Sequence, residues 1–134
     1  MTRVCFQLWI DPNRLDEYRR RHAAVWPEML RELEASGRRN YSLFLRPDGL
    51  LIGYYETDSV TASDTHLAES RVAAIWEEYM ADLFVGRSGR ADQTAITLEE
   101  VFHLEDQLAD LDEHHQHAST TPVLDNADPN EGER

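Results

Sequence analysis

Cysteine is almost absent from this sequence, since Cys5 is the single one in 134 residues. A lone cysteine permits no intramolecular disulfide and no Cys-x-x-Cys metal site, which is typical of proteins of a reducing compartment. No apolar run approaches the roughly 18 residues that a membrane-spanning helix needs. The N-terminus also lacks the basic and apolar regions of a signal peptide. We therefore expect a cytoplasmic protein.

Basic residues are scarce. Lysine and arginine together number 13 against 26 acidic residues, which gives a formal net charge of −13. This excess of negative charge argues against nucleic acid or an anionic membrane surface as a partner, because both carry the same sign. The length is sufficient for one domain with a substantial core.

Aromatic residues are missing after Leu104. Residues 105–134 contain nine acidic residues and one arginine, with Ser, Thr, Pro, Asn and Gly throughout. This composition predicts a folded domain over 1–104, followed by an acidic tail that is partly helical at its start and otherwise disordered. The tail includes His114-His115-Gln116-His117, and short histidine-rich tracts can bind metals. Because the tract defines neither ligand number nor geometry, we expect no metal site.

The domain begins with a predicted strand and helix. Residues 3–10 are rich in β-branched and aromatic side chains that alternate, which predicts the first strand. A helix from Leu15 follows, with a kink or break at Pro27, and continues over Glu28 to Ala35 until Ser36-Gly37 ends it. Its arginines, Arg19 to Arg21, are expected to face water. The face predicted to pack on a sheet carries Leu15, Tyr18, His22, Val25, Trp26, Met29 and Leu33.

The remaining elements are predicted from apolar spacing and turn residues. They are a strand over 38–46, a turn over 47–49, a strand over 50–56, a loop or short helical pieces over 57–69, a helix over about 70–84, a polar loop over 85–93 and a last strand over 96–104. The order βαββαβ is typical of a ferredoxin-like α+β sandwich, in which an antiparallel sheet carries helices on one face.

A sheet of this kind leaves its other face bare. Trp9, Phe44, Tyr54 and Val101 are predicted to line that face. A second copy of the chain is the simplest cover for such an apolar patch, so we expect a homodimer.

Tyr18 and His22 lie four residues apart on the apolar face of the first helix, so their side chains are neighbours. One interpretation is a core histidine with satisfied hydrogen bonds. The other is a pocket between the helices and the sheet, lined by Tyr18, His22, Tyr41, Tyr54 and Trp76. Aromatic rings with polar tips suit a sugar, and histidine can exchange a proton at neutral pH.

Several segments are shared with one known family. They are the Y-x-x-x-H-x-x-x-W-P pattern from Tyr18 to Pro27, the stretch from Arg39 to Leu45, the stretch from Trp76 to Met80, and the closing stretch from Leu98 to Leu104. Through these segments the chain resembles the L-rhamnose mutarotase family over Arg3 to Leu104. The resemblance implies a dimeric α/β barrel of ferredoxin-like protomers. It also implies interconversion of the α and β anomers of L-rhamnose or a related deoxyhexose without a cofactor.

The same resemblance assigns roles to particular residues. It implies that His22 is the proton donor and that Tyr18, Tyr41 and Trp76 contact the sugar. The family often has a second tryptophan where this chain has Glu77, so Glu77 is a further expected substrate-binding residue. Its carboxylate either bonds a hydroxyl that rhamnose, a 6-deoxy sugar, lacks, or points to solvent.

Two other functions remain open, because one fold hosts many functions. One is a sugar-binding or partner-docking module without catalysis. The other is a cofactor-free monooxygenase or a haem-binding protein of the dimeric α/β-barrel type. Binding of sugar without anomer exchange would indicate the first, and a pocket wide enough for a large flat ligand would indicate the second.

Overall fold

The computed structural model describes residues 1–86 and 89–117. The chain divides into two compact units, Met1–Glu100 and Val101–Arg134. The described part of the second unit contains a helix over Leu104–His117. The disorder predicted for the rest of the tail falls on residues 118–134, which lie outside the described residues. None of the described helices is long and apolar enough to cross a membrane.

Four strands of the first unit form one antiparallel sheet, so the predicted α+β class is confirmed. They are β1 (Thr2–Trp9), β2 (Arg39–Leu45), β3 (Leu50–Thr57) and β4 (Ile96–Leu98), arranged in the order β2-β3-β1-β4. This order is the one expected of a ferredoxin-like βαββαβ chain. The β2–β3 hairpin turns at Pro47-Asp48-Gly49, where Gly49 has a φ of +101° that glycine adopts without strain.

The two faces of the sheet differ in burial. Leu51, Tyr55 and Thr57 alternate along β3 and are buried on the inner face, which carries the helices. The outer face holds Tyr54 and a group of exposed apolar side chains. That group, which we call the outer apolar patch, consists of Trp9 (39 % exposed), Phe44 (63 %), Ile96 (58 %) and Leu98 (37 %). The predicted positions of Trp9, Phe44 and Tyr54 on this face are therefore confirmed.

The last strand is shorter than the sequence suggested. β4 ends at Leu98, opposite Cys5 of β1, so the prediction of a strand over 96–104 was wrong, and Val101 lies beyond the sheet in the second unit. β1 continues to Thr2, so strand residues remain beyond Cys5. The segment after Leu98 begins with Glu99 and Glu100, and glutamate is disfavoured in strands. After β4, the Arg3 Nε donates a hydrogen bond to Glu100 Oε2 at 2.8 Å.

The helices of the first unit are short and clearly delimited. They are α1 (Leu15–His22), α2 (Pro27–Ala35), α3 (Val60–Ala68), α4 (Arg71–Met80) and α5 (Ala91–Thr94), with 3₁₀ turns over Pro12–Arg14 and Ala81–Leu83. Pro27 begins α2, where its missing N–H leaves no intrahelical bond unmade. Ser59 and Ser70 cap α3 and α4 by accepting the backbone N–H of Ala62 and Ala73.

The core lies between these helices and the inner face of the sheet. The apolar face predicted for residues 15–33 packs into it through Tyr18 and Met29, both buried. The buried members of the core are Ile10, Tyr18, Met29, Leu51, Leu67, Ala73, Trp76, Met80 and Leu83.

Arg21 is not a water-facing residue, contrary to the prediction for the arginines of α1. Its side chain is 11 % exposed, its Nη1 donates to the carbonyl oxygen of Tyr79 at 2.7 Å, and its guanidinium lies 4.5 Å from the centre of the Tyr79 ring. A planar guanidinium can stack and donate at once, which explains why a charged group fits here. Arg21 thus ties the end of α1, and with it the adjacent His22, to α4.

Candidate active site

A cavity of about 1250 Å³ lies between the helices and the inner face of the sheet. This volume is above the ~300–1,000 Å³ usual for small-molecule sites, so a small ligand occupies part of it. Five of the residues expected at the site line the cavity: Tyr18, His22, Tyr41, Trp76 and Glu77. These residues come from α1, β2 and α4, and folding brings them together.

Tyr54 was expected both in the pocket and on the outer face, and the first expectation was wrong. The alternation of β3 turns Tyr54 outward, where its hydroxyl donates to Glu56 Oε2 at 2.8 Å. The next residue, Tyr55, is buried and lines the cavity instead. Tyr55 shares a face with Leu51 because both are odd-numbered residues of one strand, and this phase is the signal that would have identified it.

His22 is the last residue of α1 and is half-buried. Its ring stacks on Tyr18, with centroids 4.3 Å apart, and meets Trp76 edge-on at 5.6 Å. Its Nδ1 is buried and has no hydrogen-bond partner among the described residues. Burial lowers the pKa of the imidazole, and the backbone of Tyr18 offsets part of this effect. A core histidine with satisfied hydrogen bonds would have a partner at Nδ1, so the geometry favours the cavity interpretation of His22.

The two phenols of the site remain protonated over the physiological range. Burial, with the nearby Tyr41 and Glu77, raises the pKa of Tyr18. Burial also raises the pKa of Tyr41 to about 12, although the Arg38 guanidinium acts in the opposite direction. Each hydroxyl can therefore donate a hydrogen bond to a ligand as well as accept one.

A β-bulge directs Tyr41 into the cavity. Arg39 pairs with Glu56 and Ser42 pairs with Tyr54, so the register shifts by one residue between them. Asn40 absorbs the extra residue with a φ of +52°, and its side-chain amide donates to Glu56 Oε2 at 3.1 Å. Asparagine is among the side chains that tolerate this left-handed conformation.

Arg38 is a site residue that the sequence did not reveal. Its side chain is 7 % exposed, its guanidinium lies 4.1 Å from the ring centre of Tyr55 and 5.7 Å from that of Tyr41, and its Nε donates to Ser63 Oγ at 2.9 Å. A buried guanidinium so held fixes both rings on the wall of the cavity. An arginine before a strand carries no pattern that distinguishes it from a surface residue, so no sequence signal was available.

Phe6 supports Tyr41 from the neighbouring strand. Its ring contacts Tyr41 edge-on, with centroids 6.4 Å apart, and covers Gly53, where a Cβ atom would lie 2.2 Å from the tip of the Phe6 ring. Gly53 is therefore required by close approach. The ring of Phe6 can reach across the sheet towards β2 only because β3 has no side chain at this position.

Trp76 forms the wall of the cavity on α4. It is 5 % exposed and packs edge-on against Trp26 at 4.9 Å. Trp26 and Trp76 both contact Tyr79, which lies beneath Arg21. This cluster holds the indole in one orientation beside His22.

Glu77 lines the cavity and does not point to solvent, so that one of the two expectations for its carboxylate was wrong, and the bond to a sugar hydroxyl stays a prediction. It is half-buried, and its Oε1 accepts the backbone N–H of Asp92, at the start of α5, at 3.3 Å. Burial raises the pKa of the Glu77 carboxyl to about 7, the charge of Asp92 adds to this rise, and the Asp92 N–H and Arg90 oppose it. This carboxyl can therefore both give and take a proton near neutral pH.

The described residues contain no cluster of three or more His, Cys, Asp or Glu side chains that could hold a metal ion. The side chains of the predicted histidine tract at 114–117 lie outside the described part of the chain. The lining of the cavity includes three phenols, an indole edge, an imidazole and four carboxyls. These groups can stack on apolar C–H surfaces, bond hydroxyls and transfer protons.

Comparison with known proteins identifies the family. The family model described as L-rhamnose mutarotase matches residues 3–104. A protein named L-rhamnose mutarotase from Burkholderia cenocepacia (strain HI2424) is 39 % identical over 106 residues, which cover 78 % of this chain and 100 % of the relative. One of the same name from Listeria monocytogenes serotype 4b (strain F2365) is 35 % identical over 105 residues, with 78 % and 99 % covered.

Among solved structures, the crystal structure of an L-rhamnose mutarotase from Formosa agariphila has a similar fold. It superimposes with a TM-score of 0.65 at 24 % sequence identity, covering 77 % of this chain and 98 % of that one. Together with the match of the family model over the whole cavity-forming unit, these similarities show that the chain belongs to the L-rhamnose mutarotase family.

Proposed function

We propose that this protein is an L-rhamnose mutarotase, an isomerase that interconverts the α and β anomers of L-rhamnose or a related deoxyhexose. Its family membership supports the reaction, since the relatives from two bacterial genera bear this name. The observation that carries the proposal is the imidazole of His22. It lines the cavity, stacks on Tyr18, and has a buried Nδ1 without a partner among the described residues.

His22 is the proton donor in the proposed reaction. Mutarotation requires a proton at the ring oxygen and loss of one from the anomeric hydroxyl, which opens the ring to an aldehyde that rotates and closes again. Because burial lowers the pKa of His22, its imidazolium is a stronger acid than that of a solvated histidine. A well-placed acid contributes about 10²–10⁴-fold in rate. The reaction transfers only protons, so the proposal includes no cofactor.

The other cavity residues bind the sugar in this proposal. Tyr18 and Tyr41 donate hydrogen bonds to sugar hydroxyls, and their raised pKa values keep the phenols protonated. Trp76 offers an apolar edge to the C–H groups of the sugar. Glu77 accepts a bond from a hydroxyl through its carboxylate, one oxygen of which bonds the Asp92 N–H.

Two copies of the chain pack outer face to outer face in the proposed functional form, a homodimer that closes a dimeric α/β barrel. The support is the outer apolar patch, whose members Phe44 and Ile96 are 63 % and 58 % exposed. Exposed apolar residues collected on one face of a sheet favour burial against a partner. The acidic charge of the chain, −13, favours neither nucleic acid nor a membrane surface as that partner. The cytoplasmic location expected from the sequence stays a prediction.

The test is exchange NMR on the anomeric protons of L-rhamnose with and without the protein, with L-fucose and a non-deoxy hexose alongside. We expect faster exchange between the α and β signals of rhamnose than in buffer, and loss of this acceleration in His22→Ala. His66→Ala is the matched control, because His66 lies on α3 paired with Glu32, and this variant is expected to retain activity.

Three results would contradict the proposal. Exchange at the buffer rate with every sugar would show that the protein is not a mutarotase of these sugars. Sugar binding without faster exchange would favour a binding module. Full activity in His22→Ala, with folding confirmed by circular dichroism, would show that His22 is not the proton donor.

A further inference from the structure

Mutarotation needs a second proton-transfer group beside His22, and the cavity contains candidate carboxyls. Asp64 is held by Arg38 at 3.0 Å, and Asp92 by Arg90 at 2.7 Å. Glu34 has a side chain that is 75 % exposed and lies 3.4 Å from Arg31. Each of these three acids therefore forms an ion pair with an arginine.

Glu77 is the cavity carboxyl that differs from these. Within the described residues it forms no ion pair with an arginine, lysine or histidine, it is half-buried, and its hydrogen bond runs to the backbone N–H of Asp92. It follows Trp76 on α4, and the Trp76 ring is in edge contact with His22. Glu77 and His22 therefore line one cavity from two facing helices.

We propose that Glu77 is the second catalytic residue of the mutarotation, taking the proton of the anomeric hydroxyl while His22 protonates the ring oxygen. This inference rests on the proposed function and assigns the acid–base partner that the reaction lacks. It gives a chemical role to a position at which the chain departs from the two-tryptophan pattern of the family it resembles.

In the proposed step His22 gives one proton to the sugar and Glu77 takes one from it. As the bond between C1 and the ring oxygen breaks, the imidazolium proton of His22 moves to that oxygen. The anomeric O–H proton moves to the Glu77 carboxylate, and C1 becomes an aldehyde. After rotation about the C1–C2 bond, neutral His22 takes back the proton of the ring hydroxyl as its oxygen attacks C1, and Glu77 returns a proton to the new anomeric oxygen. The pair ends with the one proton with which it began.

The charges around Glu77 suit a carboxyl that acts first as a base and then as an acid. It faces Asp92 and Arg90 from the segment at α5, Tyr18 from α1 and Tyr41 from β2. Burial and Asp92 raise the pKa of Glu77 to about 7, while burial lowers the pKa of His22. These shifts reverse the ordinary order of the two pKa values, so a single proton resides mainly on Glu77, and the form with an imidazolium and a carboxylate is the minor, reactive one.

Glu77→Gln is the decisive variant, because the amide keeps an oxygen that can accept the Asp92 N–H but cannot take up a proton. We expect kcat for rhamnose exchange, corrected for the buffer rate at each pH, to fall about 10²-fold or more with a small change in KM. We also expect the activity limb near pH 7 to disappear from the pH profile. Glu78→Gln, at the exposed neighbouring residue, is the matched control and is expected to behave as the wild type.

The outcomes separate this inference from the proposed function. A wild type that accelerates exchange, with Glu77→Gln retaining kcat and the pH limb, would overturn the role of Glu77 and leave the mutarotase standing. A raised KM with unchanged kcat would reduce Glu77 to a binding residue and also overturn it. A wild-type protein that does not accelerate anomer exchange would contradict both proposals. If Glu77→Gln does not fold, Glu77→Asp replaces it: a retained pH limb with reduced kcat supports the role, and loss of that limb with kcat unchanged contradicts it.

Discussion

The phenol ring of Tyr18 lies nearly flat against the imidazole of His22, with centroids 4.3 Å apart and planes inclined by 25°. The two residues are one helical turn apart on α1, so the helix itself sets this contact. Stacking covers one face of the imidazole, and Trp76 contacts the ring edge-on. We therefore expect two separable functions of Tyr18, to orient the histidine through its ring and to bind ligand through its hydroxyl.

Tyr18→Phe and Tyr18→Leu should separate these functions. We expect Tyr18→Phe to keep kcat within a few-fold of the wild type and to raise KM about 5-fold, because one hydrogen bond is worth about 1 kcal/mol. Tyr18→Leu should also lower kcat, since His22 loses its stacked partner. Steady-state exchange kinetics of both variants would measure the difference. Equal kcat values in the two variants would show that stacking does not orient the imidazole.

Glu77 should make stability depend on pH. Its folded-state pKa of about 7 lies above the ordinary value of 4.5, so the folded state holds its proton more tightly than the unfolded state does. The stabilisation from this protonation is complete below about pH 4.5 and is lost as the pH rises through about 7. We therefore expect the Tm of Glu77→Gln, relative to wild type, to increase over this window and to level off above it.

Thermal melts of wild type and Glu77→Gln from pH 4 to 8.5 would test this dependence. Groups common to both proteins cancel in the difference, and Glu78→Gln controls for the removal of one negative charge. A Tm difference that stays constant across the window would show that the carboxyl titrates as it does in the unfolded chain.

Gly53→Ala should destabilise the protein by about 1–3 kcal/mol through overpacking. The added Cβ would lie 2.2 Å from the Phe6 ring, which must then move from its contact with Tyr41. Chemical denaturation would give the free energy of unfolding, and the double variant with Phe6→Leu should recover part of the loss because the shorter side chain relieves the clash. Additive effects in the double variant would contradict the proposed clash.

Phe44→Arg should convert the proposed dimer to a monomer. The side chain is 63 % exposed within one chain, so an arginine fits the fold but places a charge in an apolar interface. Sedimentation or light scattering should find a mass near 15.5 kDa for the variant and twice that for the wild type. Ile75→Arg, at a 46 % exposed position on α4, is the control and should leave the mass unchanged. A monomeric wild type would refute the homodimer.

Much of the fold was predictable because its elements have strong periodic patterns. Alternation in residues 3–10, the turn at Pro47-Asp48-Gly49 and helical spacing around Trp76 correspond to β1, the hairpin and α4. Pro27 likewise predicted the break between α1 and α2. The cavity residues were found through the spacing of Tyr18 and His22 and through the family resemblance.

What the sequence did not predict depends on contacts between distant residues. The burial of Arg21 is set by Tyr79 on another helix. Tyr55 rather than Tyr54 lines the cavity because of the alternation of β3. Arg38 is buried by aromatic rings, such as that of Tyr55, which approach it only after folding. A local pattern contains none of this information.

The bulge at Asn40 determines whether Tyr41 lies on the cavity face of the sheet or on the face of the proposed dimer interface. With Arg39 opposite Glu56, an uninterrupted ladder would set Tyr41 opposite Tyr54 and turn its phenol outward, since one step of register exchanges the faces. The added residue returns Tyr41 to the inner face, next to Tyr55. One inserted amino acid thus determines on which face of the sheet Tyr41 lies, and deleting it would move the phenol from the cavity to the side of the outer apolar patch.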